Sequence, residues 1–152
     1  MKISVLNESE KAATGFTHKA IIAYNAVSAL NDFTTAGTTQ TYTLAALAIG
    51  DYIGNAMLKL VTPLSGGSVS AAVALVGKTG TTNAYCTSSD VFTGSTVLYK
   101  AGDGASFNQA GGEVFVATSN LIVTVTTTTA NVSTLTAGEL HVYYKLVSMP
   151  QY

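Results

Sequence analysis

The sequence predicts an all-β fold, an antiparallel double-sheet sandwich of the jelly-roll or Greek-key type with an extended N-terminal arm. Threonine and serine occur in runs such as "VTVTTTTANVSTLT" (123–136), and β-branched threonine suits the pleated surface of a strand. The apolar segments are short and separated by Gly, Pro, Asn and Asp. This spacing is typical of sandwiches and barrels.

The chain divides into an arm and one domain. Residues 1–16 are polar and irregular, and we expect an N-terminal arm whose order depends on a neighbouring molecule. Residues 17–152 form the predicted β-sandwich domain, with eight strands. These strands cover residues 17–25, 38–46, 52–62, 69–77, 95–100, 112–118, 120–129 and 139–148.

Alternation with a period of two is clearest in the last two predicted strands, and it predicts one core face and one outer face for each. In the final strand the core face carries Leu140, Val142, Tyr144 and Leu146, and the outer face carries Glu139, His141, Tyr143 and Lys145. In the preceding strand, one face carries Leu121, Val123 and Val125, and the other face carries Ile122, Thr124 and Thr126.

Helix is predicted in only one short place. The stretch "TLAALAIGDYIGNAMLKL" (43–60) contains good helix formers, but two glycines and the following Pro63 divide it into pieces too short to be stable helices. A short helical turn is predicted at 83–92, because this segment falls in the longest expected loop, "KTGTTNAYCTSSD" (78–90).

The composition indicates a protein that associates with other protein surfaces. The 152 residues are 47% hydrophobic and only 10% charged, against about 25% charged in an average soluble domain. Threonine and serine must therefore cover much of the surface. A surface with so little charge is poorly protected against association, so self-assembly or burial against a larger partner is expected.

The charged residues disfavour nucleic acid and membrane partners. All seven basic residues are lysines and the net charge is −1, so the arginine fork that reads phosphates and bases is missing. Asp51 and Lys59 interrupt the most apolar stretch before it could span a bilayer. The start, "MKISVLNESEK", does not resemble a secretory signal. The single cysteine, Cys86, has no internal disulfide partner.

The stretch "SAAVALVGKTGTTNAY" resembles part of a phosphate-binding loop. That loop needs a first glycine four residues before Gly-Lys-Thr and a helix after it. Gly77, Lys78 and Thr79 are present, but Ala72 stands at the first glycine position and no amphipathic helix follows. The segment is predicted to be the end of a strand and a hairpin turn.

No catalytic or metal site is predicted. The histidines, His18 and His141, are too few for a zinc site without cysteine or histidine at short spacing, and His141 is expected at a surface or interface. Serines with Asp51, Asp90 or Asp103 form no recognisable triad, since the G-x-S-x-G elbow is absent. The chain is therefore predicted not to be an enzyme.

Two further groups allow alternative interpretations. Asp103, Asn108 and Glu113 in "AGDGASFNQAGGE" (101–113) could offer oxygen ligands to calcium, although a plain strand connection is the favoured interpretation and no cofactor is predicted. Tyrosine is frequent, with eight residues and no tryptophan. The aromatic residues considered for subunit interfaces, or alternatively for sugar stacking, are Tyr143, Tyr144, Tyr152, Phe107 and Phe115.

Two segments resemble the small β-sandwich structural proteins of tailed bacteriophages, and are most similar to head decoration (cement) proteins. They are "TTAGTTQTYTLAALAIGDYIGNAMLKLVTPLSGGSVSAAVALVGKTG" (34–80) and "TLTAGELHVYYKL" (134–146). The resemblance implies a virion protein on the outer surface of an icosahedral capsid, often a homotrimer, with the major capsid protein as partner. There it would stabilise contacts between neighbouring capsid subunits.

Two alternatives remain open at this point. The first is another virion part, such as a tail, fibre or receptor-binding subunit, although no internal repeat of the kind common in fibres is present. The second is a carbohydrate-binding β-sandwich module that would present tyrosines to a sugar. For the decoration protein, strand faces rich in threonine and tyrosine, together with the arm, would make many modest contacts at once.

Overall fold

The computed structural model describes residues 1–24, 31–92, 99–101 and 112–148. In these residues the chain forms two antiparallel sheets packed as a sandwich, so the predicted all-β fold class is confirmed. The finer assignment to a jelly-roll or Greek-key type stays a prediction. Of the helices described, none is long and apolar enough to span a bilayer.

The first sheet, sheet A, has the strand order β1-β2-β10-β4-β7, and the short β8 also pairs with β4. Its central strand is β10, which lies between β2 and β4 in antiparallel register with both. The bounds are β1 Lys2–Val5, β2 His18–Ala23, β4 Tyr52–Ser65, β7 Tyr99–Ala101, β8 Glu113–Val114 and β10 Ala137–Val147.

The second sheet, sheet B, has the order β3-β9-β5-β6 and is also antiparallel. Its bounds are β3 Thr39–Leu47, β5 Ala71–Lys78, β6 Thr81–Asp90 and β9 Ser119–Thr128. Both faces of β9 are buried from Leu121 to Val125. Ile122 and Thr124 are only 7% and 5% exposed although they do not face the core.

The core lies between the sheets and follows the predicted alternation. In β10, Leu140, Val142 and Tyr144 are buried, as expected for the core face. Leu58 of β4, which pairs with Val142 in the same sheet, and Val123 of sheet B are fully buried in the same core. Burial of such side chains contributes roughly 1.5–3 kcal/mol each relative to exposure, so this layer supplies most of the stabilising free energy.

Residues 1–16 differ from the irregular arm expected from the sequence. They contain β1, which pairs with β2 along its whole length, and the helix α1, Glu8–Thr14. Asn7 begins α1 with a capping box: its side chain accepts a hydrogen bond from the backbone N–H of Glu10, and the Glu10 carboxylate accepts one from the N–H of Asn7. The polar composition of this segment predicted no regular structure, but helix capping and pairing at the sheet edge order it. The domain boundary at residue 17 stays a prediction.

The helical turn predicted at 83–92 is wrong. Residues in this segment belong to β6, and Ala84, Tyr85 and Cys86 are fully buried. Sheet pairing with β5 overrides the loop-like composition. The strand predicted at 112–118 is shortened to β8, and of the strand predicted at 95–100 only 99–100 lies within the described residues.

Candidate assembly surface

The segment that resembled a phosphate loop is the turn of the β5–β6 hairpin. Lys78 ends β5, Gly80 takes a positive φ of 84° in the turn, and β6 begins at Thr81. A Cβ on Gly77 would lie 2.3 Å from the Thr81 carbonyl oxygen, so glycine is required there for close approach of the β6 backbone. The N–H of Thr79 donates to the Asn120 carbonyl oxygen at 3.1 Å. The hairpin prediction is confirmed.

Lys78 forms an ion pair with Glu113 of β8, and this pair joins the two sheets. The hydroxyl of the fully buried Tyr85 donates to the other Glu113 carboxylate oxygen at 2.8 Å. Burial first, and then the hydrogen bond and negative charge of Glu113, raise the pKa of Tyr85 far above its usual range. The sequence pattern did not indicate this contact, because its three members lie on different strands.

The calcium alternative loses one of its ligands to this ion pair. Both carboxylate oxygens of Glu113 are engaged by Lys78 and Tyr85, while Asp103 and Asn108 lie outside the described residues. Within the described ranges, no group of three or more histidine, cysteine and acidic side chains is arranged to hold a metal ion.

The two histidines lie on opposite faces of sheet A. His18 stacks on the buried Tyr144 with ring centroids 5.0 Å apart. His141 lies on the outer face, where its Nε2 contacts a Glu139 carboxylate oxygen at 2.5 Å. Burial lowers the pKa of His18, and the positive charge of Lys11 lowers it further. The imidazoles therefore share no site.

The aspartates considered for a triad have structural partners. Asp51 is buried and accepts a hydrogen bond from the Ala48 N–H at 2.8 Å, which closes the turn between β3 and β4. Asp90 accepts one from the Phe92 N–H at 2.9 Å. Asp103 lies outside the described residues.

The feature best suited to a function is the outer face of sheet B, which we call the neutral face. It is formed by outward side chains of the three adjacent strands β3, β9 and β5. None of these outward side chains is charged. They are Thr39, Thr41 and Thr43 of β3, Ile122, Thr124 and Thr126 of β9, and Ala71, Val73 and Leu75 of β5.

Cross-strand threonine pairs order the middle of the neutral face. Thr39 and Thr126 are directly opposite with hydroxyl oxygens 3.2 Å apart, and Thr41 and Thr124 are opposite at 3.4 Å. Such pairs stabilise a sheet by roughly 0.2–1 kcal/mol each and hold the side chains in fixed positions. At the β6 edge, opposite Val73, Asp90 adds the first charge on this side of the sheet. The described side chains at the centre of the face are therefore ordered and uncharged.

The structure separates the aromatic residues that the sequence grouped. Tyr144 and Phe115 are buried in the core, and burial raises the pKa of Tyr144 to about 12. Tyr143 is half-buried on the outer face of sheet A. Phe107 and Tyr152 lie outside the described residues. No stripe of tyrosines is presented by the residues that the structure describes here.

Comparisons with known proteins give one structural similarity. No protein-family model and no curated protein matches the chain. A solved structure described as the acidic stable capsid structure of Helicobacter pylori bacteriophage KHP30 is similar with a TM-score of 0.44 and 19% identity, over 86% of this chain and 90% of that chain. Similarity at this level assigns neither a family nor a function.

Proposed function

We propose that this protein is a structural protein of a bacteriophage virion. More specifically, it is a decoration or cement protein that binds the outer surface of an icosahedral head and stabilises contacts between major capsid subunits. It acts by burying surface, without enzymatic activity or a cofactor, and assembles as a homo-oligomer, with a trimer favoured. Neither nucleic acid nor a membrane is a partner.

The observation that carries the proposal is the neutral face. The threonines of β3 are exposed and the outward side chains of β5 are half-buried, while Ile122 and Thr124 of β9 between them are buried. None of these side chains carries a charge that would have to be desolvated on contact. The cross-strand threonine pairs fix these side chains before binding, which reduces the conformational entropy lost in an interface. A sheet face with paired threonines and no charge at its centre suits packing against a neighbouring protein subunit.

The internal contacts support a static role. Glu113 links the sheets through Lys78 and Tyr85, and the Cys86 thiol lies 3.7 Å from the Ala56 carbonyl oxygen of the opposite sheet. The resemblance of 34–80 and 134–146 to phage head proteins supports the capsid location.

Quantitative mass spectrometry on purified virions of the encoding phage tests the proposal. We expect a copy number that is a simple fraction of that of the major capsid protein, as a protein bound at repeated lattice positions requires. A handful of copies per particle would assign the protein to the tail or a fibre instead. Its absence from the particles would contradict the virion proposal altogether.

A paired substitution tests the role of the neutral face. Thr41→Lys places a charge in the middle of this exposed row, whereas Ala13→Lys places the same side chain on exposed α1. We expect Thr41→Lys to lower binding to heads depleted of the protein at least about tenfold, because the buried ammonium would lack a partner. Ala13→Lys should bind normally. Equal binding by both variants would exclude the neutral face as the contact.

A further inference from the structure

The outer face of sheet A has a different chemistry from the neutral face, and we call it the basic face. Its register places Lys2, Ile21, His141 and Lys59 in one row across β1, β2, β10 and β4. The adjacent row carries Ser4, Lys19, Tyr143 and Met57. Lys145 follows one pleat further along β10, opposite Asn55.

Charge on the basic face is of one sign except at one end. Four of the seven lysines lie on it, whereas Glu139 is the acidic side chain among its described residues. Burial lowers the pKa of His141, Glu139 opposes this through its hydrogen bond, and the positive charges of Lys19 and Lys59 lower the pKa further.

Apolar side chains occupy the middle of the basic face and the lysines surround them. Ile21, Tyr143 and Met57 are all half-buried. The Lys19 ammonium lies 5.5 Å from the centre of the Tyr143 ring, a cation–π contact that keeps this charge beside the apolar centre. Lys145 is exposed at the margin. An apolar centre within a charged rim is the usual anatomy of a protein interface.

The same features favour protein over nucleic acid as the occupant. Nucleic-acid surfaces use arginine for bidentate phosphate and base contacts, and this chain has none. A binding track for single strands also needs successive exposed stacking aromatics, whereas Tyr143 is half-buried and the two rings next to it, Phe16 and His141, are buried. Lysine rims steer association with an oppositely charged protein surface.

We infer that the basic face docks against an acidic protein surface. For a decoration protein this surface would be on the capsid, and that identification rests on the proposed function. The inference goes beyond the proposed function because it assigns the two faces to different contacts. The neutral face binds an uncharged protein surface, and the basic face binds an acidic one.

Charge reversal on the basic face tests the inference. Lys19→Glu and Lys145→Glu are compared with Lys11→Glu, which makes the same charge change on α1. Each variant and the wild type are titrated onto heads depleted of the protein, at low and high salt, after thermal unfolding has shown that each variant is folded. We expect each reversal on the face to weaken binding about tenfold, Lys11→Glu to change it less than about threefold, and high salt to weaken the wild type.

The outcomes separate this inference from the proposed function. If the wild type binds heads and all three variants bind equally well, the basic face is excluded while the virion role stands. If the wild type does not bind heads, the virion role fails, and the face is then tested with polyglutamate and double-stranded DNA as probes. Loss of polyglutamate binding in Lys145→Glu, but not in Lys11→Glu, supports the face. Tighter binding to DNA, or binding to neither probe, overturns it.

Discussion

Replacing Glu113 by alanine is expected to lower the free energy of unfolding by about 3 kcal/mol. The carboxylate accepts a hydrogen bond from Tyr85 at 2.8 Å and pairs with Lys78, and the two charged side chains are only 22% and 24% exposed. A hydrogen bond to a charged group contributes about 1.5–3 kcal/mol, and the ion pair, discounted for its remaining exposure, adds about 1 kcal/mol. For a domain of this size, the melting temperature should fall by about 6–12 °C.

Thermal and urea unfolding followed by circular dichroism measures this loss. Glu8→Ala is the control, because the Glu8 side chain in its pair with Lys11 is 90% exposed, and less than about 1 kcal/mol is expected. A double-mutant cycle isolates the pair: Lys78→Ala should cost clearly less once Glu113 is already alanine. Strictly additive effects would refute the claim that these two residues are coupled across the sheets.

The two remaining predictions concern acid and backbone packing. Burial lowers the pKa of both His18 and His141, so the unfolded chain takes up protons that the folded protein does not, and stability should fall from about pH 7.5 to about pH 5.5. Urea midpoints that rise on acidification would contradict this, and replacing both histidines by glutamine should flatten the profile. Gly77→Ala should cost about 1–3 kcal/mol, because the new Cβ lies 2.3 Å from the Thr81 carbonyl oxygen. Gly37→Ala is the control, because the nearest atom to its new Cβ is 3.5 Å away, and its free energy of unfolding should change little. Equal decreases in the free energy of unfolding of both variants would show that the close approach at Gly77 is not the cause.

Local periodicity predicted the strands of the sandwich well. The alternation in 139–148 identified the core side chains of β10, and the threonines of 39–43 indicated a strand with an exposed face, whereas both faces of β9 are buried from Leu121 to Val125. These signals are local, since a strand places successive side chains on opposite faces whatever its neighbours are. The hairpin at Lys78 was equally predictable, because the segment lacked the helix that a phosphate loop needs.

Long-range pairing explains what the sequence did not reveal. The composition of segment 83–92 is typical of a loop. In the structure most of it belongs to β6, which pairs with β5 at the edge of sheet B and buries Tyr85 in the core. The start of residues 1–16 is ordered because β1 pairs with β2 as an antiparallel edge strand. The neutral face had a visible signal in the alternating threonines of two segments. The basic face did not, since its lysines come from four strands whose register only the fold provides.

The position of the two central strands has a consequence for synthesis on the ribosome. β10 completes sheet A between β2 and β4, and β9 completes sheet B between β3 and β5. Both strands come from the last third of the chain described here, so the earlier strands have no partner on that side until residues 119–147 have been translated. Nascent chains therefore carry unpaired apolar edges for most of translation, a state prone to aggregation. Truncation before β10 should accordingly give insoluble product instead of a smaller folded sandwich.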